Sequence, residues 1–332
     1  MSPRTPPHPL LAAASALAAA LLLAPAAPAA ADTPQAPAPT AAEDGAAAPY
    51  GPPGPPELPE PDPAAAAAGE DPWPDAPGAN DFDCEPTDDH PRPVVLLHGY
   101  GANGFANWQA LSPRLALRGY CVFAPTYGLR SELPLPLSAV GGAVPMEESA
   151  QELSDYVDRV LEATGAEEVD IVGHSEGSLM PNHYVTFLGG ADKVANYVAL
   201  TPLWDGTRFF GASEVNRIGE EWGLGPTLGR SVDEICGPCR QFLTGSEFLE
   251  EMNEGGAAVP GVTYTTVMTK YDFLVQPYTS GFLEGDDVTN IVLQDRCRTD
   301  LSGHIGVAFD PVVHRYVFNA LDPESARPPL CI

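Results

Sequence analysis

The 332-residue chain carries 45 acidic against 16 basic side chains, a formal charge of −29. A surface of that sign repels phosphate backbones and anionic head groups, which argues against a nucleic-acid partner. The 44% hydrophobic content is inflated by alanine early in the chain, and the 38 prolines crowd before Pro93. The length suits one large domain or two small ones.

The start reads as an export signal. Arg4 gives a weakly positive beginning, Leu10 to Ala24 a short apolar run, and Ala29-Ala30-Ala31 the small residues that signal peptidase requires. Residues 1–31 are therefore expected to be removed, with cleavage after Ala31. The run is short for a bilayer span of ~20 residues. The mature protein is expected to be secreted, extracellular and soluble. Residues 32–80 are Ala, Pro, Gly and acid with almost no aliphatic side chains. Such a stretch cannot bury enough apolar surface to offset ordering entropy, so a disordered, partly polyproline linker is predicted. The catalytic domain is expected over 81–332.

Within it, strand-like and helical runs alternate. Val94 to Leu97 reads as a strand buried on both faces, Asn107 to Arg118 as a helix, and Cys121 to Ala124 as the next strand. Pro145 opens a long amphipathic helix to Thr164, which Gly165 ends. Val169 to Val172 is a strand that runs into Gly173-His174-Ser175-Glu176-Gly177, and a helix follows to about Leu188. Asn196 to Leu200, Tyr264 to Met268 and Asn290 to Leu293 are further strands, and Asp310 to Leu321 is the final helix. The alternation predicts an α/β fold with a mostly parallel sheet and helices on both faces. Trp204 to about Gly261 reads as irregular. With Phe209, Phe210, Trp222 and Leu224 it is either a lid or a disulfide-tied excursion.

The serine pentapeptide is common by itself. Its position between a buried strand and a helix is what a nucleophile elbow requires, with glycines admitting close backbone approach. A serine hydroxyl needs a base. Of the seven histidines, His304 lies in a loop between the last strand and the final helix and is the candidate. His174 is expected to point away from Ser175, and His183 into packing or solvent. Asp272, after the strand ending at Met268, is the residue expected to orient His304. Asp295, Asp300 and Asp205 are its rivals. The oxyanion of an acyl-transfer intermediate needs two backbone N–H donors. Glu176, after the nucleophile, and Tyr100, in the turn His98-Gly99-Tyr100-Gly101, are the candidates.

Six cysteines, Cys84, Cys121, Cys236, Cys239, Cys297 and Cys331, suit an oxidising compartment and three disulfides. Cys236-Gly237-Pro238-Cys239 also matches a redox pair, but its Gly- and charge-rich setting favours a local structural bridge.

Leu97-His98-Gly99-Tyr100, Gly119 to Ala124, Gly173 to Pro181, Lys270-Tyr271-Asp272 through Pro277-Tyr278-Thr279, and Asp300 through Asp310-Pro311 resemble the secreted actinobacterial lipases called lipase class 2. The resemblance runs from about Asp83 onward. It implies an α/β-hydrolase fold and hydrolysis of carboxylic esters, acylglycerols above all. It implies Ser175, Asp272 and His304 as triad, and the amides of Tyr100 and Glu176 as oxyanion donors. It also implies the pairs Cys84–Cys121, Cys236–Cys239 and Cys297–Cys331.

An ester or lipid is then the expected partner, with transient contact at a lipid interface, a monomeric chain, and no metal or organic cofactor. An acyltransferase or a cell-envelope ester hydrolase could use the same triad, and a non-catalytic binding module could share the fold. The chain departs from the family at Glu176, where Gln or Met is usual, and at Ser178, where Gly is usual. Pro202 to Thr207 also departs from the expected Asn-His-Gly-Thr run. A carboxylate at 176 either opposes charge on the oxyanion or turns outward as a first-turn acid.

Overall fold

β-Branched and aliphatic residues fill six short segments that make one parallel sheet. They are β1 (Val94–Leu97), β2 (Val122–Phe123), β3 (Val169–His174), β4 (Val194–Leu200), β5 (Thr263–Met268) and β6 (Val288–Val292). The spatial order is β2-β1-β3-β4-β5-β6, and every neighbouring pair is parallel. The computed structural model describes residues 59–209 and 236–331. The expected signal at 1–31, residues 32–58 of the expected linker, and Phe210, Trp222 and Leu224 of the expected lid lie outside these.

Side chains of a strand alternate between its faces, and here both faces are apolar. Val95, Leu97, Ile171, Tyr197, Ala199 and Tyr264 meet one helical layer. That layer is built from α4 (Met146–Thr164), α5 (Met180–Phe187) and α6 (Glu247–Asn253). Val94, Leu96, Val172, Val198, Leu200 and Val267 meet the other. It is built from α2 (Gly104–Trp108), α3 (Ser112–Ala116), α7 (Leu293–Arg296) and α8 (Pro311–Leu321). The expected single helix over Asn107 to Arg118 is thus two short ones. Pro113 sets the start of the second, because proline suits a helix's first turn and lacks the N–H needed further in. The expected strand at Asn290 to Leu293 ends at Val292, where Leu293 turns into α7.

The expectation of disorder up to Asn80 is corrected over residues 59–80. α1 (Pro63–Ala68) forms there, capped by the Asp62 carboxylate and ended by Gly69 at φ 75°. Trp73 donates its indole N–H to the Ala139 carbonyl at 2.8 Å. Asn80 donates its backbone N–H to Val122 O at 2.9 Å and accepts from Ala124 N at 2.8 Å. Few apolar groups are available, but these polar anchors and the buried Ala76 tie the strip to the β2 edge. Composition averages over a segment and misses such single contacts.

Three disulfides join Cys84 to Cys121, Cys236 to Cys239 and Cys297 to Cys331. No free cysteine occurs among the described residues. Among them, too, no helix is long and apolar enough to cross a membrane, and no group of three or more His, Cys, Asp or Glu could hold a metal ion. Cys84–Cys121 closes a 37-residue separation between the domain's first segment and β2. Replacing both residues by serine is expected to lower the unfolding free energy by about 2–4 kcal/mol. The check is urea denaturation of the variant against the native protein, and an unchanged midpoint would contradict it.

Candidate active site

At the C-terminal end of β3 the backbone turns sharply, and Ser175 takes φ 56°. A non-glycine residue in that region costs on the order of 1–3 kcal/mol and persists only where the surroundings enforce it. Here they do. A Cβ on Gly173 would stand 1.7 Å from the Gly177 carbonyl oxygen, and one on Gly177 would stand 2.2 Å from Leu97 O. Only two glycines let β3, the turn and β1 approach this closely. A 3₁₀ turn, Ser175–Ser178, comes between β3 and α5, so α5 starts three residues later than the expected Gly177. Ser178, one of the departures, donates its hydroxyl to the Ser175 carbonyl at 2.6 Å and braces the turn.

The structure brings Ser175, His304 and Asp272 into one hydrogen-bonded chain. His304 Nδ1–H donates to Asp272 Oδ2 at 2.8 Å. The neutral ring therefore presents Nε2 as acceptor, and Ser175 Oγ lies 2.8 Å from it. Asp272 Oδ1 accepts from the amides of Leu274 and Val275 at 2.9 and 2.7 Å. That leaves its other oxygen aimed at the imidazole. The rivals stand elsewhere: Asp295 pairs with Lys270 on the surface, Asp300 accepts from Ser302 N at 2.8 Å, and Asp205 is exposed. The His304 loop is itself tied down. Thr269 donates to Ser302 O at 2.6 Å, Gln294 donates to Thr269 Oγ1 at 2.9 Å, and Ser302 donates its hydroxyl to Asp310. Burial pushes the Asp310 carboxyl up to about 6.

His174 has a larger part than its sequence position suggested. Its ring stands 5.3 Å from that of His304, and Nε2 donates to the His304 carbonyl at 2.8 Å. Nδ1 lies 2.9 Å from the Asn107 side-chain amide, and Gly99 N lies 3.3 Å from the same group. One buried pair thus links the elbow, the His304 loop and the turn after β1. Burial first, then His304 beside it, lowers the His174 pKa to about 3. Nothing in the pentapeptide signals this role, which arises from a loop 130 residues away. His183 stacks on Phe248 and packs against Phe187, as the packing alternative held.

The turn after β1 is locked in a similar way. His98 is buried, donates Nδ1–H to Gly99 O at 2.9 Å, and accepts at Nε2 from Tyr127 N at 3.2 Å. Burial lowers its pKa to about 4. The Tyr127 hydroxyl donates to His98 O at 2.7 Å. A Cβ on Gly99 would lie 3.1 Å from the Ser175 Cβ, so the residue before Tyr100 packs directly against Ser175. Glu176 is the surprise. Its side chain does not turn outward: the residue is wholly buried, and neither carboxyl oxygen has a hydrogen-bond partner.

Pro202 to Thr207 packs against the loop that follows Asp272. Thr207 donates to Leu274 O at 2.7 Å and accepts from Gln276 N at 3.0 Å, which joins this segment to the Asp272 loop. On the loops that carry Asp272 and His304 several apolar side chains are open to solvent. Tyr271 and Phe273 flank Asp272 at 48% exposure each, while Leu301 and Ile305 flank the His304 position at 73% and 57%.

A parallel sheet covered on both faces, with a strained serine after the third strand hydrogen-bonded in line to a histidine and an aspartate on later loops, defines the α/β-hydrolase fold. Solved structures agree with that fold. Lipase B of Aspergillus fumigatus is 16% identical with a TM-score of 0.56, over 77% of this chain and 57% of that one. The propeptide form of the Bacillus licheniformis lipase BlEst2 is 13% identical with a TM-score of 0.50, over 75% and 54%. The chain spans little more than half the length of those two proteins. Residues 91–317 match the lipase (class 2) family, and the chain belongs to that family.

A buried neutral His174 contributes stability that is present above its ordinary value of 6.5 and is lost as pH falls from there toward about 3. Glutamine at this position can still donate to His304 O but cannot take up a proton. The stability difference between native protein and His174→Gln is therefore expected to shift in favour of the variant as pH falls through that window. Urea titrations at pH 7.5, 6 and 4.5, read as about pH values on this scale, check it. A pH-independent difference would contradict it.

Proposed function

We propose that the protein is a secreted serine hydrolase that cleaves carboxylic esters, acylglycerols foremost, through an acyl-enzyme on Ser175. The observation that carries this is the chain Asp272–His304–Ser175, with both links at 2.8 Å. His304 Nε2 takes the hydroxyl proton as Ser175 Oγ attacks the ester carbonyl. The amides of Tyr100 and Glu176 receive the oxyanion, and Asp272 stabilises the imidazolium. His304 then protonates the leaving alcohol. Water, deprotonated by the same ring, attacks the acyl-enzyme and releases the acid. No step calls on a metal or an organic cofactor.

The substrate class is argued from the rim. Tyr271 and Phe273 are exposed on either side of Asp272 in the chain, and Leu301 and Ile305 are exposed in the His304 loop; the Phe273 ring stands 6.3 Å from that of His304. Exposed apolar side chains on the two loops that carry Asp272 and His304 favour contact with an apolar chain or a lipid aggregate. The three disulfides fit an oxidising, extracellular compartment, and the export-signal pattern at residues 1–31 adds to it.

Ser175→Ala is expected to lower kcat on a short soluble ester by at least about 10³-fold with little change in stability. A variant as fast as the native protein would overturn the acyl-enzyme reading. Leu301→Ser with Ile305→Ser is expected to lower the ratio of emulsified long-chain to soluble short-chain hydrolysis by about tenfold. The two rates are measured side by side, and an unchanged ratio would remove the rim from the substrate argument.

A further inference from the structure

The acyl-transfer scheme makes no use of the Glu176 side chain, although its backbone belongs to the oxyanion site. The carboxyl is wholly buried, and neither of its oxygens has a protein partner. A Cβ on Gly142 would stand 2.3 Å from Glu176 Oε2, so the glycine at φ 66° is what leaves room for the acid. Gly142 in turn lies against Gly128, and a Cβ there would meet both Gly142 Cα and Ser149 Oγ at 2.9 Å. Ser149, on α4, is also buried with its hydroxyl unpartnered. The segment after β2 and α4 are therefore shaped around this carboxyl and offer it no cation.

The titratable groups that face it are few. Tyr100 comes from the turn after β1, and Tyr127 from the segment after β2. Beyond Tyr127 stand Tyr197 of β4 and Glu152 of α4, whose carboxylate accepts from Gly128 N at 2.9 Å. His98 stacks on the Tyr127 ring at 4.2 Å and is held neutral by its own burial. Burial pushes the Glu176 carboxyl well above the usual carboxylate range, and no charged neighbour counters it. An ionised carboxylate here would be unpaired in a low-dielectric setting, which is costly to the fold and to any nearby anion.

We propose that Glu176 is a proton-gated positioning residue: carrying its proton, it leaves its own backbone amide free to hold the oxyanion, and losing that proton to solvent hydroxide sets a negative charge beside the same amide and slows acyl transfer. The inference rests on the acyl-enzyme reading and adds a pH dependence of its own. Glu176 makes activity fall with pH on the alkaline side. The sign for stability is the same. Its folded pKa is raised, so the native protein is favoured below the ordinary value of 4.5 and loses that advantage as pH rises above it.

The test is the pH profile of kcat for native protein and Glu176→Gln on one soluble ester. The variant-to-native ratio of kcat is expected to climb roughly tenfold from acid to alkaline pH, as for weakening rather than removing one oxyanion donor. KM is expected to move little, because the oxyanion bond strengthens in the transition state. A ratio constant within about twofold would overturn the proposal. If Gln does not fold, Glu176→Met also lacks an ionisable group and takes its place. A second measurement needs no turnover: the infrared difference between native and variant protein at neutral pH is expected to contain one protonated-carboxyl band, and a carboxylate band instead overturns the proposal. Failure of Ser175→Ala to lose activity would sink the acyl-enzyme reading alone, whereas these two readouts judge Glu176.

Discussion

Everything at the site depends on how closely the β3 turn approaches β1. Gly173 and Gly177 have no room for a side-chain atom, and Ser175 is held at φ 56° between them. The strain is sustained by contacts that converge from several directions. Ser178 donates to the carbonyl of Ser175, and the Tyr197 hydroxyl donates to that of Ser178 at 3.0 Å. The hydrophobic sheet on either side supplies the rigidity, since close-packed interiors yield little. A serine hydroxyl is thereby raised toward a histidine that arrives from a distant loop.

The buried polar groups form the next level of this arrangement. His98, His174 and Asn107 link the turn after β1, the elbow and the His304 loop, and each imidazole is kept neutral by desolvation. Buried networks of this kind rigidify a site, because every lost partner leaves a buried group unsatisfied. Beside them Glu176 is a buried acid with no partner on either carboxyl oxygen. Its cost to stability is the sort of local inconsistency that tends to mark function.

Much of the framework was legible in the sequence because its signals are local. Continuous apolar runs such as Val94 to Leu97 announce strands buried on both faces, and Gly165 announces the end of α4. The glycines around Ser175 are meaningful only between a strand and a helix, and that context is also local. Where the reading failed, the decisive contact was long-range. Residues 59–80 look unable to fold by composition, yet Trp73 and Asn80 find partners in segments 66 and 44 residues away.

By itself the sequence determined the order of the strands, the elbow at Ser175 and the candidates His304 and Asp272, since each follows from neighbouring residues or chain order, whereas α6 forms inside the stretch that reads as irregular. Only the tertiary structure decided which aspartate meets His304. Asp272, Asp295 and Asp300 are close in sequence, and choosing among them takes the direction in which each loop leaves the sheet. It also decided the orientation of Glu176. A first-turn acid is equally at home in solvent, and what drew this one inward is a space opened by Gly142, 34 residues earlier. Burial and partner choice are properties of packing, and packing is where local pattern ceases to be informative.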